Sequence, residues 1–217
     1  VITAAPLVVK NSAITGVAGA EYGIRGWLHS TNLADGSKNW RTYTIPAPDE
    51  PGGDTWKQGP EAHSKDAWMH GGGSTWVVGS YDPDLDVIYW GVGNPGPDWD
   101  NEYRPGDNLY SNSVLALDAD SGKIKWHFQY TPNDPYDFDG VNEQVLVDAK
   151  IFGKKVKAVL HADRNGFAYA LDRESGKFLW GTPFVKKLDW TVGLDKYTGR
   201  PLDYDPNKDV QRYVPSS

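Results

Sequence analysis

A short pattern that occurs twice in this sequence constrains its fold more than any other feature. The pattern Ala-x-Asp-x-x-Ser-Gly-x-x-x-Trp occurs at Ala116–Trp126 and again at Ala170–Trp180. A degenerate copy, Ser30–Trp40, keeps the glycine and the tryptophan in register. A strand, a tight turn, a second strand and a packing tryptophan are what one sheet needs to dock on the next, and repeats of about 40 to 50 residues are typical of propeller blades. The pattern therefore predicts an all-β chain that forms part of a propeller.

The repeat divides the chain into about three blades, with the tryptophans at positions 40, 126 and 180. Two insertions rich in Pro, Gly and charge, at 45–66 and 93–108, explain the longer interval between the first two tryptophans and predict excursions over the surface. No helix of length is expected. The approximate blades are 1–44, 67–130 and 140–182, with the start of another at 183–217.

Composition supports this fold and narrows the functions that the chain can have. Ten Trp, twelve Tyr and 24 Gly beside a single Met favour short strands joined by tight turns. The net charge of −7, without a basic block, argues against nucleic acid as a partner. Because the chain has no cysteine, it cannot supply a thiolate metal ligand or a cysteine nucleophile. No apolar run has membrane-spanning length, and the chain opens directly with a strand-like run, so we expect the interior of a longer protein.

The segment 131–143, which we call the aspartate loop, carries three aspartates among two prolines and a glycine. Residues two apart in an extended segment point the same way, so Asp137 and Asp139 can converge on one point. Two converging carboxylates repel each other unless a cation, a shared proton or a basic partner lies between them. The pair is therefore a candidate metal site, although an isolated Asp-x-Asp pair is more often part of a surface turn.

With the tryptophan repeat and the aspartate loop together, the chain resembles the quinoprotein alcohol dehydrogenases of the methanol and ethanol dehydrogenase type. The resemblance runs from Thr3 to about Pro201. It implies an eight-bladed propeller with pyrroloquinoline quinone and a metal ion on its axis, of which this chain supplies about three blades. The most specific segments are Gly19–Gly26, Gly71–Trp76 followed by Tyr81–Pro83, Tyr89–Pro95, the aspartate loop and His161–Gly166.

The resemblance implies a metal site built from three separate loops. Glu21, Asn94 and Asp137 match the metal-binding side chains of the family, and Asp137 also matches its catalytic base. An all-oxygen set of two carboxylates and one amide suits a hard cation. Without the resemblance, Glu21 would be an ordinary loop residue and Asn94, before a proline, a turn former.

Asp139 bears on the identity of the metal ion. The resemblance places an aspartate here in lanthanide-dependent members, whereas calcium-dependent members usually carry a small or neutral residue. A third carboxylate suits a trivalent ion and gives a divalent one an excess of anionic ligands. We therefore expect a lanthanide rather than calcium, and the alternative is that Asp139 only caps the turn.

The resemblance also implies the contacts to the quinone. Trp76 matches the tryptophan that stacks on one face of the ring, and the alternative is a blade-packing residue. Arg164 matches the arginine beside the reactive quinone oxygens, where it stabilises developing negative charge, and the alternative is a surface salt bridge. The glycine-rich loop Gly16–Gly26 lets its backbone come close to something flat. The remaining expected cofactor contacts are Gly19, Ala20, Thr3 and Ser74.

The reaction implied by the resemblance is the oxidation of a primary alcohol to an aldehyde. Asp137 takes the hydroxyl proton, hydride passes to the metal-bound quinone, and electrons go on to a cytochrome c type protein. The family works in the bacterial periplasm. We expect this fragment alone to be inactive, and a homodimer of the whole protein is left open.

Two other functions stay open from the sequence. A polyol or sugar quinoprotein dehydrogenase would keep the cofactor and the base but differ in its substrate pocket. A non-enzymatic propeller scaffold would explain the blades, but it has no use for Glu21, Asn94, Asp137 and Arg164 together.

Overall fold

The chain folds into three four-stranded antiparallel sheets in a computed structural model that describes residues 1–57 and 62–205. Within each sheet the strands lie side by side in chain order. The predicted all-β fold is thereby confirmed. The first sheet consists of β1 (Leu7–Val9), β2 (Ser12–Gly16), β3 (Trp27–Asn32) and β4 (Lys38–Tyr43), the second of β5 (Ser80–Asp82), β6 (Val87–Val92), β7 (Ser113–Asp118) and β8 (Ile124–Gln129), and the third of β9 (Val145–Ile151), β10 (Lys154–Ala162), β11 (Phe167–Asp172) and β12 (Phe178–Pro183).

Helical structure in the described residues is limited to short 3-10 segments. They span Ala20–Tyr22, Gly53–Thr55 and Ala62–His70, the last with a break at Asp66. None of the helices in the described residues has the length and apolar character needed to cross a bilayer.

The second sheet is packed on both of its faces. Every residue of β6 is buried, so the strand is a continuous apolar run rather than an alternating one. Its successive side chains point to opposite faces. Ile88 and Trp90 therefore join the core shared with the first sheet, whereas Val87 and Tyr89 join the core shared with the third.

The repeated turn forms the contact between neighbouring sheets. A Cβ atom on Gly122 would collide with the ring of Trp40 in the preceding sheet, and one on Gly176 would collide with the ring of Trp126. Both glycines have positive φ, 69° and 72°. The glycine of each turn therefore lies on the tryptophan of the preceding sheet, which shows how the predicted packing tryptophan docks one sheet on the next.

The two copies of the turn, which we call the docking turns (118–122 and 172–176), have the same internal hydrogen bonds. The Asp118 carboxylate accepts the backbone N–H and the hydroxyl of Ser121, at 2.9 and 2.7 Å. Asp172 accepts the same two groups from its own serine at 2.8 and 2.6 Å. The strand pairing also shifts register at the same place in both sheets, next to the turn.

The segment 195–199 forms a further copy of this turn, although its sequence does not match the repeated pattern. Asp195 accepts the backbone N–H and the hydroxyl of Thr198, at 2.7 and 2.8 Å. The pattern required serine, and threonine supplies the same hydroxyl. Gly199 of this turn lies against Phe178 of the third sheet. The predicted start of another blade, at 183–217, runs into residues 206–217, which lie outside the described residues, so it stays a prediction.

Candidate cofactor and metal site

Gly72 joins the two loops that carry Glu21 and Asn94. It forms a parallel bridge with Arg25 on one side and an antiparallel bridge with Pro95 on the other. Its φ is 69°, and a Cβ atom would press against the backbone of the second loop. The position therefore requires glycine, because only glycine adopts this φ while the two backbones pass so closely.

The aspartate loop directs two carboxylates toward Arg164. Asp137 and Asp139 both have a φ of 58°, so they converge through left-handed backbone rather than through an extended segment. Arg164 Nη2 lies 3.9 Å from Oδ2 of Asp137, and Nη1 lies 3.8 Å from Oδ2 of Asp139. The guanidinium group therefore supplies a positive charge beside both carboxylates.

Asp139 links three separate loops. Its side chain is buried, and its Oδ2 accepts the indole N–H of Trp76 at 2.9 Å. Its Oδ1 accepts the backbone N–H of Asn94 at 3.3 Å. A side chain at Gly93 would occupy the place of this oxygen, so glycine there lets the carboxylate approach the backbone.

The two carboxylates are unfavourably charged in the absence of a cation. Burial raises the pKa of Asp139 to about 7, the hydrogen bond from Trp76 opposes this increase, and the negative charge of Asp137 adds to it. Burial also raises the pKa of Asp137, against the effect of Arg164, and the charge of Glu21 contributes. A bound cation would stabilise both ionised carboxylates.

Asp98 is a residue of this site that no pattern in the sequence indicates. Its Oδ1 accepts the side-chain N–H of Asn94 at 2.5 Å, and the same nitrogen lies 3.3 Å from the carbonyl oxygen of Pro95. Burial raises the pKa of Asp98, and the negative charges of Asp137 and Glu21 raise it further. Its place four residues after Asn94, inside a Pro- and Gly-rich insertion, was the only signal in the sequence.

Glu21 lies at the edge of this group. It is exposed on the 3-10 helix Ala20–Tyr22. Across residues 1–57 and 62–205, no three acidic, histidine or cysteine side chains are close enough together to hold a metal ion. The predicted ligand set includes the amide of Asn94, and its assignment stays a prediction.

The expected cofactor contacts lie near Trp76 and Glu21. Thr3 donates its hydroxyl to the carbonyl oxygen of Trp76 at 3.2 Å, and Ser74 is buried two residues before this tryptophan. Gly19 has a φ of 112° and precedes the 3-10 helix that carries Glu21. Their roles as cofactor contacts stay predictions. Trp76 itself is 40% exposed, so part of its ring is free to stack on a ligand.

Asp134 shapes the aspartate loop from within. It is completely buried, and its Oδ1 accepts the backbone N–H of Tyr136 at 2.8 Å. Its Oδ2 accepts the backbone N–H of Phe138 at 2.7 Å and the side-chain N–H of Asn112 at 2.8 Å. Burial raises the pKa of Asp134, and these hydrogen bonds oppose the increase. The carboxylate fixes the backbone on both sides of Asp137.

Arg104 ties the insertion 93–108 to the aspartate loop. Its side chain is completely buried. It donates hydrogen bonds to the carbonyl oxygens of Pro97, Asp98 and Asp134, and to the side-chain oxygen of Asn108. Because the acceptors belong to both loops, one side chain fixes the position of Asp98 relative to the two aspartates.

Arg164 stands on a turn that is also held by buried polar groups. Asp163 lies between His161, whose Nε2 is 2.9 Å from the carboxylate, and Asn165, whose backbone N–H it accepts at 2.8 Å. Asn165 donates its side-chain N–H to the hydroxyl of Thr131, at the start of the aspartate loop, at 3.0 Å. The loop and the arginine are therefore held together.

A cavity of about 600 Å³ opens beside Arg164. Its wall is largely apolar and includes three residues of the aspartate loop, Pro135, Tyr136 and Phe138. The main apolar side chains in the wall are Trp99, Tyr136, Phe138, Leu188 and Trp190.

Comparison with known proteins identifies the family. Residues 1–186 match a family of pyrroloquinoline quinone proteins, which is described as "glucose/ethanol/alcohol dehydrogenase, beta-propeller domain". The chain belongs to this quinoprotein family. The predicted family and its propeller fold are thereby confirmed, and so is the predicted class of cofactor for the family as a whole.

Curated relatives include alcohol dehydrogenases and lanthanide-dependent enzymes. The quinoprotein alcohol dehydrogenase PedH of Pseudomonas putida is 47% identical over 216 residues, which cover 95% of this chain and 36% of that protein. A lanthanide-dependent methanol dehydrogenase of Methylacidiphilum fumariolicum is 40% identical over 223 residues, with coverage of 97% and 36%. The chain thus spans about a third of the length of the quinoprotein relatives that it matches.

Solved quinoprotein structures share the fold of the chain. A europium-containing methanol dehydrogenase superimposes with a TM-score of 0.84 at 38% identity, over 93% of this chain and 37% of that one. The quinohemoprotein alcohol dehydrogenase of Comamonas testosteroni gives 0.85 at 39% identity, over 93% and 31%. One of these enzymes is named for its europium and the other for its haem, and both share the fold of this chain.

Proposed function

We propose that the whole protein oxidises a primary alcohol to an aldehyde, with hydride transfer to a metal-bound pyrroloquinoline quinone. The observation that carries this proposal is the meeting of Trp76, Asn94 and Arg164 with the two carboxylates of Asp137 and Asp139. These groups come from four loops. A scaffold protein would have no use for this convergence.

The donor groups fit a hard cation. Carboxylate and amide oxygens are the ligands that such ions prefer. The pKa of Asp137 and that of Asp139 are both raised, so ionised carboxylates here are stabilised by added positive charge. We assign Glu21, Asn94, Asp137 and Asp139 as the ligands, and this assignment requires the three carboxylates to move closer together when the cation binds. Three carboxylates favour a lanthanide, and calcium is the alternative.

The exposed part of Trp76 fits a flat ring. Its indole N–H is held by Asp139 and its carbonyl oxygen by Thr3, so the plane of the ring is fixed while part of its surface is open. Such a preorganised aromatic surface suits stacking. When bound, the quinone would supply the hydride acceptor and the cation would supply a Lewis acid.

Asp137 is the base in this proposal. Its side chain is 33% exposed, so an alcohol can reach it, whereas the side chain of Asp139 is only 6% exposed. A bound cation would stabilise the ionised form of Asp137, which is the form that a base requires. Arg164 stabilises the negative charge that develops beside it.

The neighbouring cavity suits the carbon chain of the alcohol. Because its wall, which includes Trp99 and Phe138, is largely apolar, the cavity suits a carbon chain better than it suits additional hydroxyl groups. This favours a simple alcohol over a polyol or a sugar. We assign a cytochrome c type acceptor, in keeping with three relatives that are named quinohemoprotein alcohol dehydrogenases. We also assign a periplasmic location.

The proposal is tested with Asp137→Asn in the whole protein, reconstituted with the quinone and either a light lanthanide or calcium. Loss of a general base lowers kcat by about 10²- to 10⁴-fold. Asp139→Ala should remove lanthanide-supported activity more than calcium-supported activity. Asp49→Asn, at an exposed position, is the control. Unchanged kcat in Asp137→Asn would overturn the proposed base, and unchanged lanthanide activity in Asp139→Ala would overturn the proposed metal.

A further inference from the structure

The side-chain amide of Asn94 has two ends, and only its oxygen can bind a cation. The nitrogen end faces two acceptors, Oδ1 of Asp98 and the carbonyl oxygen of Pro95. A backbone carbonyl can only accept a hydrogen bond, so the Pro95 contact fixes which end of the amide is the nitrogen. The oxygen of Asn94 therefore points away from both.

The oxygen end of the amide is left for a ligand. Within residues 1–57 and 62–205, no donor group is hydrogen-bonded to Oδ1 of Asn94. The residue as a whole is 4% exposed, and its backbone N–H is bonded to Asp139. Asn94 is thus held at its backbone by one aspartate and at its side-chain nitrogen by another.

Asp98 is itself held firmly enough to orient a neighbour. Buried Arg104 donates to the carbonyl oxygen of Asp98 at 3.0 Å and to that of Pro97 at 2.8 Å. This grip is on the backbone, so it does not depend on the Asp98 side chain. The Asp98 carboxylate is then free to accept the amide N–H of Asn94.

We propose that Asp98 is a positioning residue of the cation site, which fixes the Asn94 amide with its oxygen toward the cation. The inference rests on the proposed function, because it assumes that Asn94 is a ligand. Groups that orient metal ligands typically change metal affinity by about 10- to 100-fold when they are removed. Asp98 acts through Asn94 and does not bind the ion.

The test measures terbium binding to the whole protein by luminescence, in competition with a chelator, with and without the quinone. Asp98→Ala should weaken terbium binding by about 10- to 100-fold. Asp98→Asn keeps an oxygen acceptor at this position and should recover most of the loss. Asp100→Asn removes the same charge two residues away, at an exposed position, and should leave the affinity unchanged.

A double-mutant cycle separates orientation from simple charge. Asn94→Ala removes the amide that Asp98 orients, so adding Asp98→Ala to it should weaken terbium binding no further. Equal losses in both backgrounds would mean that the Asp98 charge acts directly on the ion, and would overturn the proposal. Because the grip of Arg104 is on the backbone, each variant should keep the wild-type thermal unfolding curve to within a few degrees, and this is checked first.

The outcomes distinguish this inference from the proposed function. A wild-type protein that binds no terbium overturns both. A wild-type protein that binds terbium and oxidises alcohols, together with an unaffected Asp98→Ala variant, overturns the inference alone. Weakened binding in Asp98→Ala, with recovery in Asp98→Asn and no added loss beyond Asn94→Ala, supports it.

Discussion

The docking turns and the aspartate loop are both short irregular segments, but different interactions hold them. In a docking turn, Asp172 bonds a serine three residues away at an exposed position, and Gly176 rests on one tryptophan ring. In the aspartate loop, buried Asp134 bonds Asn112, and buried Arg104 bonds the Asp134 carbonyl from another loop. The turn is built locally, whereas the loop depends on distant polar partners.

This difference predicts unequal tolerance to mutation. A hydrogen bond lost in an exposed turn is replaced by water, so its loss costs about 0.5–1.5 kcal/mol. A buried polar group that loses its partner costs about 1–3 kcal/mol for each group left unsatisfied. The framework should therefore lose stability in small independent steps, and the site loops in large ones.

The largest effect is expected for Arg104→Met. The change leaves buried acceptors in both loops without a donor, including the carbonyl oxygens of Asp98 and Asp134. The whole protein should lose about 3–5 kcal/mol of unfolding free energy, measured with urea. Arg41→Met is the control, since Arg41 lies exposed over the ring of Trp27 and should cost less than about 1 kcal/mol. Equal costs for the two changes would contradict the comparison.

The sequence predicted the framework better than the site for a physical reason. The docking turns repeat, and each is fixed by residues within five positions and one tryptophan, so the pattern is visible in the sequence. Arg104 and Asp98 belong to the insertion 93–108, whose Pro- and Gly-rich sequence predicts an excursion over the surface, whereas the structure buries Arg104 completely. Their partners are backbone carbonyls and an amide on loops that only the folded chain brings together, and no sequence spacing encodes such contacts.

The second prediction concerns the pH dependence of the cation-free protein. The pKa of Asp139 is about 7 in the folded state, against 3.8 for an unperturbed aspartate. Between these values the folded protein keeps a proton that the unfolded chain has lost, so stability falls as the pH rises. The loss is complete above about pH 7 and amounts to at most about 4 kcal/mol.

The measurement compares urea unfolding of cation-free wild type and Asp139→Asn at pH 5 and pH 8. From pH 5 to pH 8, the free energy of unfolding of wild type should fall relative to that of the variant, because the variant has no carboxyl group to ionise at this position. Adding a lanthanide at pH 8 should restore the lost unfolding free energy in wild type but not in Asp139→Asn. A parallel pH dependence in both proteins would mean that another group is responsible.

The third prediction separates two effects of a turn glycine, its left-handed backbone and its contact with a tryptophan ring, by comparing Gly122 of a docking turn with Gly36 of the degenerate copy. Gly122 and Gly36 have nearly the same φ, 69° and 74°, but Gly122 touches the ring of Trp40 whereas Gly36 has open space around it. Replacing Gly36 with Ala should cost only the left-handed backbone, about 1–2 kcal/mol. Replacing Gly122 should cost about 1–3 kcal/mol more, because the ring must move. If urea unfolding gives equal losses of free energy for Gly36→Ala and Gly122→Ala, the contact with the ring contributes little.

The smallest effects are expected in the docking turns themselves. Asp118→Ala and Asp172→Ala each remove a carboxylate that accepts two hydrogen bonds at an exposed turn. Each should cost about 1 kcal/mol in urea unfolding of the whole protein, and the double variant should cost their sum to within about 0.5 kcal/mol. Asp195→Ala, in the turn that uses threonine, should cost the same. A cost above about 2 kcal/mol at one turn only would mean that the neighbouring sheet, rather than the turn, sets its stability, and that the repeat is less uniform than its sequence.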